Sequence, residues 1–149
     1  MTKEDLAELV AIELLEATIR ELIALADDVG DSEPAARDQM AAGAFLAQLY
    51  TGMENILKQF CRFQGVALPI GDNWHAALLR RFSEPSDVGL PVFFSAELLS
   101  ELGAFRKLRH VVYHGDGFQM EWSGPVPGIR RPPAVLREFR SSIESYLAD

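Results

Sequence analysis

Apolar residues recur at intervals of three and four along most of this chain, the spacing that gathers them on one side of an α-helix. Alternation with a period of two, which marks half-buried strands, is nearly absent. The longest example lies between residues 34 and 64, where the apolar side comprises Phe45, Leu46, Leu49, Met53, Ile56, Leu57 and Phe60. The pattern therefore predicts an all-α fold.

Glycine, proline and capping residues divide the chain into about five predicted helices. Gly65 is a plausible end for the second helix, Asp72 or Asn73 can cap the third, and Ser95 precedes the fourth. Two of the helices are long, which favours an up-and-down helical bundle. The predicted helices cover about 4–28, 34–64, 73–83, 95–114 and 133–146.

Length and composition predict a single domain over residues 1–149, since the chain is of ordinary domain size with 48% hydrophobic and 24% charged residues. One cysteine, Cys61, cannot form an internal disulfide, and we expect it to be a small buried hydrophobe. The amino terminus has no signal-like pattern and the apolar runs are too short to cross a bilayer. We therefore expect a cytoplasmic protein that makes no contact with a membrane.

The net charge of −8 argues against a general nucleic-acid coat protein, because phosphate binding depends on lysine and arginine. The charge is uneven, however. Between residues 101 and 140, seven basic residues stand against four acidic ones, a local net charge of +3. Such a stretch is compatible with RNA binding at one place, although charge alone favours ordinary solvated helix charges as its explanation.

The most informative segment runs from Phe105 to Phe118 and contains Arg109 and His114 with four residues between them. An arginine and a histidine at this spacing decide nothing alone. With 11 arginines and three histidines in the chain, chance supplies on the order of 0.7 pairs in which four to six residues separate the arginine from the histidine.

Three segments in order carry a resemblance to the HepT-like branch of the HEPN ribonucleases. They are Tyr50-Thr-Gly-Met-Glu54, then Trp74-His75 with its flanking residues, then Arg106 through His114 to Phe118. The resemblance covers roughly residues 5 to 147, and it implies a HEPN-like helical bundle.

The resemblance also implies a homodimer whose Arg109 and His114 line a cleft between subunits and cleave RNA without a metal or other cofactor. His114 would be the general acid or base, and Arg109 would hold the scissile phosphate. We expect Arg106, His110, Glu54 and Asp116 to support this site. Family members often act as toxins in type II or type VII-like pairs, with a small nucleotidyltransferase-type antitoxin as partner.

Two features depart from this expectation. Many family members carry a tyrosine two residues after the motif histidine, where the antitoxin attaches AMP, and this chain has Asp116. A carboxylate cannot accept AMP in that way, and it repels phosphate. In addition, positions five apart lie about 140° apart on a straight helix, so Arg109 and His114 need a bend, a helix end or a second subunit to meet.

Several alternatives stay open. The chain could be a HEPN-type dimer with weakened cleavage that binds a nucleotidyltransferase, or a helical interaction protein without a nucleotide role. His110 and His114 with Asp116 could bind a metal, although no fourth ligand is evident. Glu54 points into the dimer cleft and pairs with an arginine, or it is solvated. The remaining motif side chains have structural interpretations: a core position for Tyr50, and capping or packing for His75.

Overall fold

The computed structural model describes residues 2–10, 12–29, 35–85, 88–103, 106 and 132–148. They form helices α1 (Lys3–Val10), α2 (Ile12–Val29), α3 (Ala36–Phe63) and α4 (Trp74–Arg81). Residues 96–103 are also helical and are called α5, and α6 spans Pro132–Ala148. The described residues contain no strand. The predicted all-α bundle is thus confirmed. The first predicted helix is described as α1 and α2, on either side of Ala11, which lies outside the described residues.

The first helix begins with two reciprocal hydrogen bonds. The Asp5 backbone N–H donates to Thr2 Oγ1 at 3.2 Å, and the Thr2 N–H donates to Asp5 Oδ2 at 2.7 Å. This capping box satisfies backbone donors that a helix start leaves unbonded. Hydrogen bonds from the Thr2 backbone N–H and from the Thr2 side chain lower the pKa of the Asp5 carboxyl below its usual value, since they favour its charged form.

The 28-residue helix α3 is the centre of the bundle, and α1, α2 and α4 all pack against it. It spans roughly 42 Å at 1.5 Å per residue. Helix α2 approaches it closely at Gly52, where a Cβ atom would overlap Cδ2 of the buried Leu15. Glycine at this position therefore sets how near the two helix axes can lie.

The connection from α3 to α4 follows the prediction in part. Gly65 has φ +68° two residues after the end of α3, and the following Val66 N–H donates to the Cys61 carbonyl at 2.8 Å. Only glycine adopts that conformation without a steric penalty, so the predicted helix end is confirmed. Asn73 precedes α4 but makes no side-chain capping bond, so its predicted capping role is wrong.

Phenylalanine rings join α3, α4, α6 and the segment before α5. Phe82 and Phe93 stack at 5.6 Å, Phe94 and Phe139 stack at 5.5 Å, and Phe60 meets Phe93 edge-on at 5.0 Å. The backbone N–H groups of Phe93 and Phe94 both donate to the Phe82 carbonyl. Aromatic packing therefore fixes the segment that leads into α5 against the end of α4.

Hydrogen bonds also define the start of α5 and the position of α6. Ser95 Oγ accepts from the Leu98 N–H at 3.1 Å, which confirms the predicted helix start. In α6, the Tyr146 hydroxyl accepts from Gln64 Nε2 at 2.7 Å. Lys3 Nζ donates to the Tyr146 carbonyl at 3.1 Å and lies 4.8 Å from its ring centroid. Tyr146 therefore connects α1, α6 and the end of α3.

The core is continuous across the described elements and includes Cys61 and Tyr50, both fully buried as predicted. None of the helices in the described ranges is both long and apolar enough to cross a membrane.

Candidate functional site

A buried carboxylate lies on α3 within an otherwise apolar surface. Glu54 is 2% exposed. Its sequence neighbour Met53 is also buried, and so is Leu57, which follows it by about one helical turn. Glu54 is the one charged residue that is buried among those whose burial the structure describes. Moving a charge out of water is costly unless partners compensate, so the contacts of Glu54 decide what it does.

One of those contacts is with an imidazole at the start of α4. His75 Nδ1 bonds Glu54 Oε2, and the side chain of His75 is 22% exposed while that of Glu54 is 3% exposed. An ionised carboxylate can only accept, so Nδ1 donates to it and Nε2 lies on the opposite edge of the ring. The pair therefore links a buried oxygen to a ring that reaches the surface.

The indole of Trp74 packs on this ring, and Lys58 packs on the indole. The rings of Trp74 and His75 lie 3.6 Å apart between centroids with a 31° tilt, and Lys58 Nζ is 4.6 Å from the Trp74 ring centroid. Lys58 follows Glu54 by one turn of α3, so both contacts come from the same side of that helix. The indole thus bridges the ammonium group and the imidazole, which restricts the orientation of His75.

The next turn of α3 places a thiol beside a guanidinium. Burial raises the pKa of the Cys61 thiol, and the nearby Arg81, which bonds the thiol, opposes part of that rise. The Arg81 guanidinium also donates to the Ala67 carbonyl. A thiol that is fully buried with a raised pKa is a weak nucleophile, so Cys61 is a packing residue as predicted.

Of the six site residues predicted from the sequence, the structure describes Glu54 and Arg106. Glu54 is buried and bonded to His75, so the alternative of a solvated position is wrong. Arg106 is helical and half-buried. Arg109, His110, His114 and Asp116 lie outside the described residues, as does most of the basic stretch from 101 to 140. Within the described ranges, no three histidine, cysteine, aspartate or glutamate side chains cluster as a metal site requires.

The contact between Glu54 and His75 was not predicted from the sequence. Both residues lie in motif segments, but His75 was expected to cap or pack, and Glu54 was expected to pair with an arginine or to be solvated. One signal in the sequence could have indicated this contact. Glu54 and His75 lie in neighbouring motif segments, and each is an ionisable side chain beside apolar residues. Such side chains on helices that pack together are candidates for pairing, because neither is well accommodated alone.

A protein-family model matches the part of the chain that contains Glu54, His75 and the other motif residues. The family model described as HepT-like protein matches residues 41–149, which is nearly three quarters of the chain. The chain belongs to the HepT-like family. All three segments that carry the resemblance fall within the matched range, whereas α1, α2 and the beginning of α3 precede it. No curated protein and no solved structure matches this HepT-like protein.

Proposed function

We propose that this HepT-like protein is a metal-independent endoribonuclease that acts as the toxin of a toxin–antitoxin pair. The supporting observation is the family match, whose range includes Arg109 and His114 at the spacing expected for a HEPN nuclease. Glu54 and His75 belong to the same matched range and are in contact, so two of the family segments are joined within one structural unit.

The chemistry suits these residue types. Cleavage of RNA by its own 2′-hydroxyl requires one proton to be removed from that hydroxyl and one to be given to the leaving 5′-oxygen. An imidazole such as that of His114 can perform either transfer near neutral pH. The guanidinium of Arg109 can bond the phosphate through paired donors as negative charge accumulates. The products would be a 2′,3′-cyclic phosphate and a free 5′-hydroxyl.

The proposal includes a homodimer and a small nucleotidyltransferase-type antitoxin. The two copies would contribute Arg109 and His114 to a shared cleft, which removes the difficulty of their separation by about 140° on one helix. Asp116 stands where many relatives carry the tyrosine that receives AMP. The antitoxin would therefore neutralise this protein by binding or by modifying another residue.

A second candidate is a HEPN-type dimer that has lost most of its cleavage and serves as the binding partner of a nucleotidyltransferase. Two observations favour it: a carboxylate at position 116, and a net charge of −8 that disfavours long-range attraction of RNA.

Incubation of the purified protein with RNA in EDTA separates the two candidates. The wild-type protein should cut RNA and leave cyclic phosphate ends, while Arg109→Ala and His114→Ala should lose at least about 100-fold in rate, as expected for a lost acid–base or charge-stabilising group. Arg37→Ala, an exposed position at the start of α3, is the matched control. Folded wild-type protein that leaves RNA intact would contradict the nuclease and favour the second candidate.

Three further measurements accompany this test. Light scattering should give the mass of two chains. RNA carrying a 2′-deoxy residue at the cut site should resist cleavage. Expression of the wild-type protein alone should arrest bacterial growth, and His114→Ala should relieve the arrest.

A further inference from the structure

The charge of this chain changes sign sharply near the candidate site. Residues 1–54 contain three basic and twelve acidic residues, a net charge of −9. Residues 55–83 contain four basic residues and a single acid, Asp72, a net charge of +3. The end of α3 and all of α4 therefore form a basic region on an acidic protein, which is the distribution expected where an anionic partner binds.

Three of the four basic side chains of this region, Lys58, Arg62 and Arg81, lie on the sides of α3 and α4 where the two helices meet. On α3, Lys58 and Arg62 are one turn apart and share a side of the helix. On α4, Trp74 and Arg81 are seven residues apart and again share a side. The contact of Lys58 with Trp74 and that of Arg81 with Cys61 place these two sides next to each other. We call the five residues Lys58, Arg62, Trp74, His75 and Arg81 the α3–α4 corner.

The pair formed by Glu54 and His75 adds a directed polar group to this corner. With Nδ1 bonded to Glu54, only Nε2 of His75 is directed away from that carboxylate, and in the imidazolium form Nε2–H can donate to an anionic ligand. A buried pair of this kind contributes little net stability compared with apolar residues of the same size, because both groups lose hydration. Its presence under a basic surface is better explained by the orientation it imposes on His75 than by the stability of the fold.

We propose that the α3–α4 corner is an RNA-binding site, which holds backbone phosphates with Lys58, Arg62, Arg81 and the Nε2–H of the His75 imidazolium. Glu54 is a positioning residue that acts through His75. The choice of RNA as ligand rests on the proposed ribonuclease function, and the phosphate chemistry rests on the corner itself. Lys58 and His75 already occupy the Trp74 ring, so the indole supports those side chains and does not stack on a base. The corner therefore binds without sequence preference.

Binding of a fluorescein-labelled single-stranded RNA, followed by anisotropy, tests the proposal. All variants carry His114→Ala, so that cleavage does not consume the probe. The test variant is Lys58→Gln with Arg62→Gln, and the control is Arg20→Gln with Arg37→Gln, which removes the same charge from exposed positions on α2 and the start of α3. Arg37 lies roughly 31 Å from Lys58 along α3. Circular dichroism verifies that each variant is folded.

We expect the test variant to bind several-fold more weakly than the control. The slope of log K against log salt, measured from about 50 to about 200 mM, should be smaller in magnitude by about 1.4, or about 0.7 for each lost phosphate contact on a single strand. His75→Gln and Glu54→Gln should each weaken binding, with no further loss when they are combined. Equal binding by the test and control variants overturns the proposal. So does a loss that is confined to RNA and absent for DNA of the same sequence, since phosphates are common to both.

The exposed Arg62→Gln variant alone keeps the test decisive if the double variant is unstable, since it removes one corner cation without touching Trp74. Failure of this inference is distinguishable from failure of the proposed function. A protein that cuts RNA while its corner variants bind as the control does refutes the corner only. A protein that binds RNA through the corner but cuts none in the EDTA assay refutes the nuclease only.

Discussion

The contact between Glu54 and His75 gives a quantitative expectation for stability. We consider His75→Ala, Glu54→Gln and the double variant, which together form a thermodynamic cycle. A hydrogen bond to a charged group contributes about 1.5–3 kcal/mol. The Glu54 carboxylate is 3% exposed, so water can replace the lost imidazole only poorly. We therefore expect His75→Ala to lower the free energy of unfolding by about 2 kcal/mol.

Urea denaturation followed by circular dichroism at a fixed protein concentration measures each variant of the cycle. For a chain of this length, a loss of about 2 kcal/mol corresponds to a fall in Tm of roughly 4–8 °C. The amide introduced by Glu54→Gln keeps an acceptor oxygen but loses the charge. Each single change therefore removes the charged hydrogen bond, which is lost only once in the double variant. The losses of unfolding free energy in the two single variants should thus sum to more than the loss in the double variant. The expected coupling free energy is at least about 1 kcal/mol.

The exposed pair of Arg140 and Glu144 is the matched control. Its two side chains are 46% and 59% exposed, with Nε and Oε1 2.7 Å apart. Solvent screens such a pair, so changes at Arg140 and Glu144 should be nearly additive. If changes at Glu54 and His75 prove additive within about 0.5 kcal/mol, the argument that burial makes this contact strong is refuted.

Three further predictions concern packing, reactivity and pH. Gly52→Ala should lower Tm, because the new methyl overlaps Leu15. Gly103→Ala should raise Tm, since no described atom lies within 4 Å of a Cβ there and helical glycine costs about 0.5–1 kcal/mol relative to alanine. If thermal melts of the two variants shift in the same direction, the packing argument is contradicted. Cys61 should resist iodoacetamide at about pH 8 in the folded protein, because the thiol is buried and burial raises its pKa. In urea the thiol should react, as mass spectrometry would show. Rapid labelling of the native protein would show that the thiol is accessible. The lowered pKa of Asp5 contributes stability that is present above its ordinary value of 3.8 and is lost as the pH falls through the lower folded value; amide exchange in α1 should therefore accelerate in that acid range for the wild type but not for Asp5→Asn.

The fold could be predicted from the sequence because the spacing of apolar residues and a few local capping signals indicate its helices. Gly65 and Ser95 were correctly assigned as a helix end and a helix start, since each acts through its own backbone or through a neighbour three residues away. The first predicted helix, about 4–28, agrees with α1 and α2, which cover the described residues on either side of position 11.

The candidate site was less accessible, because it depends on how two helices meet. Glu54 and His75 are 21 residues apart, and the loop between α3 and α4 could place His75 against any of several turns of α3. Apolar spacing identifies the buried side of each helix but leaves the turn-to-turn alignment undetermined. Arg109 and His114 were selected by their resemblance to the family, and they remain predictions.

The contacts of Tyr146 have a practical consequence for handling this protein. Lys3 and Gln64 both bind this one residue of the last helix, so the first and last helices are held beside each other. An affinity tag fused beside α1 or α6 would then lie close to the other of these two helices, and a deletion that removes Tyr146 would loosen two distant parts of the chain at once. Protein expressed for assays should therefore carry a cleavable tag behind a flexible spacer.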